Sequence, residues 1–187
     1  MHTLCSRLLA GCWLALASMS ALAGLPIQRW TATHQAEVLL IESPALPMVD
    51  IQIDFDAGSR RDPAAQAGLA SAVAAMMSKG VRAREGAPAL DENALGEAWA
   101  DLGAVLGASA GGDRFSVTLR TLTMPDVLQG ALKLAARQLA EPAFSPEVWV
   151  AERARFIASI KEANTRPGTV AQRTYGRAVY GPHPYGQ

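Results

Sequence analysis

From Val49 to Ala57 the chain alternates between two kinds of side chain: Ile51, Ile53 and Phe55 on one parity, Asp50, Gln52, Asp54 and Asp56 on the other. Successive strand residues point to opposite faces, so this period of two predicts a half-buried strand with one wet face and one face to be covered. Three aspartates along one strand raise the question of a cation site. Spaced by alternation, they read as a solvated face. Ala36 to Ile41 is expected to form an earlier strand, joined to this one by Ser43-Pro44-Ala45-Leu46-Pro47.

Helices follow. After a turn at Gly58-Ser59-Arg60-Arg61, Asp62-Pro63 supplies a cap and a first-turn proline for a helix expected to run to Lys79-Gly80. A charged loop, Arg82 to Pro88, leads to a helix from Asp91 to Leu102, stopped by Gly103. Ala104 to Ala110 and Asp113 to Thr121 form a hairpin around Gly111-Gly112. Met124 to Leu139 reads as a helix with Leu128, Leu132, Ala135, Ala136 and Leu139 on one side. Ser145 is expected to cap a helix from Pro146 to Ala163, and another spans Val170 to Val179. This order predicts an α+β domain, with helices packed over a mostly antiparallel sheet.

The N-terminus is of a different kind. Leu8 to Leu22 is apolar, follows the single basic Arg7, and ends in Ala21-Leu22-Ala23, a small-x-small cleavage pattern. Residues 1–23 are therefore expected to be a secretory signal, with export to the periplasm or medium and no stable membrane insertion after its removal. The alternatives are a retained anchor and lipidation at Cys12, where Leu9-Ala10-Gly11-Cys12 has the form of a lipobox. Both cysteines, Cys5 and Cys12, lie inside the signal, so the mature chain has neither disulfide nor thiolate ligand. With 17 basic and 17 acidic residues the formal charge is zero, without the basic footprint of a nucleic-acid binder. Residues 24–35 read as a leader to the first strand.

The segment Gly68-Leu69-Ala70-Ser71-Ala72-Val73-Ala74-Ala75-Met76-Met77-Ser78-Lys79-Gly80 resembles the zinc helix of the insulinase and mitochondrial processing peptidase family, G-L-A-H-x-x-E-H-x-x-x-K-G. Further blocks stand in the family's order: Ala57-Gly58-Ser59-Arg60, Leu102-Gly103-Ala104, Pro142-Ala143-Phe144, Arg166-Pro167, and Gly181-Pro182-His183-Pro184-Tyr185-Gly186. The resemblance implies a pitrilysin-like N-terminal domain over 36–187, the first domain of a half-enzyme that continues into a related second one. The chain is thus expected to be part of a longer protein.

What the family uses for chemistry is replaced. The positions of its two zinc histidines and its general-base glutamate hold Ser71, Ala75 and Ala74. Its third ligand, a glutamate seven residues after one matched here by Glu152, falls on Ser159. Serine and alanine offer neither an imidazole for zinc nor a carboxylate for proton transfer. His34 and His183 are expected to be surface or packing residues, and Glu147, Glu152 and Glu162 a solvated helix face with local ion pairs.

The resemblance therefore implies a non-catalytic homologue or subunit, with no catalytic or metal-binding residue and no cofactor of its own. Zinc is expected only in a catalytic partner carrying H-x-x-E-H, and the ligand is a peptide or unfolded protein. The alternative is a free-standing peptide-binding or scaffold protein, and an active metallopeptidase ranks last.

Overall fold

The computed structural model describes residues 26–186. The expected signal, both cysteines and the start of the leader lie outside the described residues. Among the described residues no helix is long and apolar enough to cross a membrane. The chain divides into two units, Met1–Leu46 and Pro47–Gln187.

In the first unit, β1 (Ile27–Thr31) pairs antiparallel with β2 (Glu37–Ile41), in register from Ile27 opposite Ile41 to Thr31 opposite Glu37. The sequence predicts only a leader over residues 24–35, where β1 lies. The turn explains the omission: His34 and Gln35 both adopt left-handed backbone, φ 65° and 63°, without the Asn-Gly pair that announces such a hairpin.

The second unit is built on a three-stranded antiparallel sheet in the order β3 (Met48–Phe55), β7 (Phe115–Leu122), β6 (Val105–Ala110). Registers run from Met48 opposite Leu122 to Phe55 opposite Phe115, and from Val105 opposite Arg120 to Ala110 opposite Phe115. The expected alternation in β3 forms, but its cover is partial. Ile51 is half-buried, whereas Ile53 and Phe55 are 40% and 45% exposed. β3 lies at one sheet edge, and the helices pack against β6 and β7; Val117, Leu119 and Thr121 of β7 are buried.

The helix expected from Asp62 starts later. Single 3-10 turns occupy Ser59–Arg61 and Ala64–Gln66, and α1 spans Leu69–Met76. Gly68, at φ 95°, reverses the chain immediately before α1, a conformation that costs glycine little. Asp62 still caps the helix, at a distance along the chain: its carboxylate accepts from the N–H groups of Gly68 (2.9 Å) and Ala70 (3.1 Å).

After α1 come two short paired strands, β4 (Gly80–Val81) and β5 (Leu90–Asp91). Gly80 is required there twice over: its φ is +121°, and a Cβ would stand 2.5 Å from the Leu90 carbonyl oxygen. The loop between these strands is held from beneath by Arg137, which donates to the carbonyls of Arg82 (2.9 Å) and Pro88.

α2 (Glu92–Asp101) is capped by Asp91, which accepts from the Ala94 N–H at 2.8 Å. α3 (Pro125–Ala140), α4 (Pro146–Ala163) and α5 (Pro167–Tyr180) complete the domain. Val81, Leu95, Trp99, Ala104, Leu119, Ala131 and Ala135 form the core. The buried stripe of α3 runs through Ala131, Ala135 and Gln138, while Leu132 and Ala136, expected inside, are exposed. Small residues bring α3 close to Trp99, whose Nε1 donates to Gln138 Oε1 at 2.8 Å, and Gln138 Nε2 donates to the Met77 carbonyl at 2.9 Å. That network joins α2, α3 and the end of α1. α4 is largely solvated, Glu152 being its buried residue.

Candidate functional site

Ser71, Ala74 and Ala75 stand on one face of α1, because offsets of three and four residues return to the same side of a helix. Ser71 is exposed, and the two alanines are half-buried. Ser159 is on α4, exposed, two turns beyond Glu152 and so on the same side of that helix. This face of α4 is tied to the segment that closes α1: Glu152 Oε1 lies 3.3 Å from Lys79 Nζ.

Lys79 sits between two carboxylates, at 2.6 Å from Glu92 Oε1 as well as 3.3 Å from Glu152. The hydrogen bond to Glu92 is the main reason its ammonium titrates above the ordinary lysine range; desolvation opposes this and Glu152 adds to it. Glu152 also accepts from Arg155 Nη1 at 2.6 Å. Rather than a solvated carboxylate with a local ion pair, it is a buried group balanced by two cations, one of them on another element.

Zinc is the metal that the H-x-x-E-H frame implies, and the residues present do not fit it. At Ser71, Ala74, Ala75 and Ser159 the donor set is two hydroxyls and two methyls, where zinc takes imidazole, thiolate or carboxylate. Among the described residues no three His, Cys, Asp or Glu side chains are gathered as a metal site requires.

The other candidates have local roles. His34 forms the exposed turn of the β1–β2 hairpin. His183 packs between Tyr180 and Tyr185, ring centroids 6.4 and 4.8 Å away, and its Nδ1 accepts from the Tyr185 N–H at 3.3 Å. Ser145 makes no side-chain cap for α4; its hydroxyl instead donates to Glu147 at 2.5 Å, the chief reason the Glu147 carboxyl titrates low. Glu162 pairs with Arg166.

The aspartates of β3 and its exit are exposed and individually paired. Asp50 takes both a 2.6 Å and a 2.9 Å bond from Arg120, Asp54 accepts from Ser116 at 2.6 Å, and Asp56 faces Arg60 and Arg61. Each carboxyl is thereby held below the usual aspartate range, by Arg120, Ser116 and Arg61 respectively as the largest cause.

One feature of the site was not read from the sequence. Among the described strands β6 pairs with β7 alone, and α1 packs against β6, so a free strand edge adjoins the altered helix. The free N–H and C=O groups of an edge strand are a template for an added peptide strand. Sequence patterning identifies a strand but not its place at an edge.

The sequence-family model described as insulinase (peptidase family M16) matches residues 37–187. No significant match is found among curated proteins. Among solved structures, the chain is similar to a peptidase M16 inactive domain from Pseudomonas fluorescens, with 31% identity and a TM-score of 0.80. It is also similar in fold to a protease from Helicobacter pylori (16% identity, TM-score 0.71) and to pitrilysin (24% identity, TM-score 0.66). The alignments cover 87%, 87% and 88% of this chain, but 38%, 38% and 17% of those three chains.

Proposed function

The chain belongs to the insulinase family, peptidase family M16, and from that membership we propose that it is a non-catalytic member that binds peptide and supports a zinc-bearing partner of the same family. One observation carries the reading. α1 keeps its helical form and packs against β6, while Ser71, Ala74, Ala75 and, on α4, Ser159 supply no ligand and no general base. A fold kept intact around a site without chemistry is what binding and positioning require, since they need a shaped surface and no metal. The similarity to a domain described as inactive supports the same reading.

The physical contribution of such a subunit is orientation. Holding a peptide on two walls rather than one removes translational and rotational freedom before the chemical step, worth several kcal/mol of the barrier in favourable cases. The added peptide strand would lie along β6, its backbone bonds independent of side-chain identity, so the ligand is an extended segment rather than one defined sequence.

The experiment compares a family peptidase carrying H-x-x-E-H alone and with this protein, on long peptides at constant zinc. Co-migration of the two proteins and a rate increase of about tenfold or more are expected. Equal rates without co-migration would remove the partner and leave a free-standing peptide-binding protein.

A further inference from the structure

We infer that Tyr185 and Asp113 form a latch that holds α5 and the segment after it against the sheet, and that this contact opens as a unit, apart from the core. The Tyr185 hydroxyl donates to Asp113 Oδ1 at 2.5 Å, between residues 72 apart in the chain. Asp113 belongs to the turn between β6 and β7, and Tyr185 to the single 3-10 turn Pro184–Gly186 that follows α5. Arg60 approaches the same oxygen from a third segment, with Nε at 3.0 Å. The bond to Asp113 is the chief reason the Tyr185 phenol titrates above the ordinary tyrosine range.

The sheet side of the latch is fixed by backbone. Ser59 and Arg60 donate their N–H groups to the carbonyls of Gly111 (2.9 Å) and Gly112 (3.0 Å). Gly58 is buried so closely against the turn that a Cβ there would stand 2.5 Å from the Arg114 nitrogen. The helix side is held differently. α5 has no buried residue, so apolar burial does little to keep it in place. Its tie to the sheet is at its C-terminal end, where Tyr180 and His183 pack on Tyr185 at 5.7 and 4.8 Å between ring centroids, and Pro184–Gly186 lies against Ser59–Arg61. Two blocks singled out in the sequence, Gly58-Ser59-Arg60 and His183-Pro184-Tyr185-Gly186, thereby meet on one aspartate.

A hydroxyl-to-carboxylate bond at the surface contributes little to global stability, yet it is a large share of what holds a helix without a buried face. The 14 residues of α5 are marginal as a helix on their own in water, so their amides exchange with solvent once the latch opens. The similar structures are longer than this chain, and further polypeptide lying on α5 is the competing way of holding it. The latch itself is made by side chains of this chain and uses no exposed face. It closes the turn at the end of β6 whether or not a peptide is added along that strand.

The test is amide hydrogen exchange of the full chain, in wild type and in Tyr185→Phe, which keeps the ring and removes the hydroxyl. Exchange over α5 and at the Gly181 N–H should speed up about fivefold. The amides of Leu119 and Ala131 in the core should keep their wild-type rates, because the opening is local. Asp113→Ala should speed the same α5 amides, and the double variant should match Asp113→Ala alone, the contact being already lost. Asp50→Asn, which weakens another exposed pair on the same sheet, should leave α5 as in wild type. Unchanged α5 exchange in Tyr185→Phe, the result if further polypeptide holds the helix, would overturn the inference. So would equal acceleration of α5 and the core, or effects of Tyr185→Phe and Asp113→Ala that simply add.

Discussion

Replacing Lys79 by methionine should destabilise the domain by about 2 kcal/mol. The Lys79 and Glu152 side chains are only 13% and 12% exposed. Removing one partner of a fully buried pair costs about 3–5 kcal/mol, because the other charge is left without compensation. Here Glu152 keeps Arg155, a partner at 2.6 Å but largely in solvent, which reduces that cost to about half. The Lys79–Glu92 pair adds at most tenths of a kcal/mol, Glu92 being 56% exposed. Glu152→Gln should cost less, about 1 kcal/mol, because Lys79 retains Glu92. Lys79→Met combined with Glu152→Met should be more stable than Lys79→Met alone, since no buried charge remains. Urea unfolding of the four proteins measures all three differences. The pH dependence supplies a second check. Because the folded-state pKa of Lys79 is raised, its contribution is complete below the ordinary lysine value near 10.4 and fades as pH rises through the folded value. The gap between wild type and Lys79→Met should therefore hold through neutral pH and narrow above about 10.4. A Lys79→Met protein within 0.5 kcal/mol of wild type (about the scatter of a neutral surface change) would refute the argument.

Gln138→Leu leaves the Trp99 indole N–H and the Met77 carbonyl without partners in the core, and should cost about 2–4 kcal/mol in the same unfolding assay. The depressed carboxyls of Asp50, Asp54 and Asp56 stabilise the fold above the ordinary aspartate pKa of about 3.9, and that contribution is lost as pH falls through their lower folded values. The triple Asp→Asn protein should accordingly lose less stability than wild type below about pH 4, measured by thermal melting across the acid range. His34→Asn with Gln35→Gly suits the left-handed turn of the β1–β2 hairpin, and should slow hydrogen exchange of the hairpin amides.

The elements legible in the sequence were those whose pattern is local. The alternation of Ile51, Ile53 and Phe55 gave β3 its pleat, and Asp91 and Gly103 marked the ends of α2. What depended on distant partners was not legible. Asp62 looked like the residue at the start of a helix, but the chain makes two tight turns before Gly68 lets α1 begin, and Asp62 reaches forward to cap it. β4 and β5 are two residues each, too short for any periodicity to register. In α3, Leu132 fitted an apolar stripe, yet the bonds of Gln138 to Trp99 and Met77 accompany a different buried side. The site divides in the same way. The positions Ser71, Ala74, Ala75 and Ser159 follow from spacing along two segments. The pairing of Glu152 with Lys79, and the free edge of β6, exist only once those segments are folded together.

The central claim, a family fold retained without its metal chemistry, is met most directly by metal analysis of the dialysed protein together with its own peptidase activity. Zinc far below one equivalent per chain is expected, with no hydrolysis of long peptides and no change on adding a chelator. About one tightly held zinc per chain, with hydrolysis that a chelator abolishes and zinc restores, would contradict it.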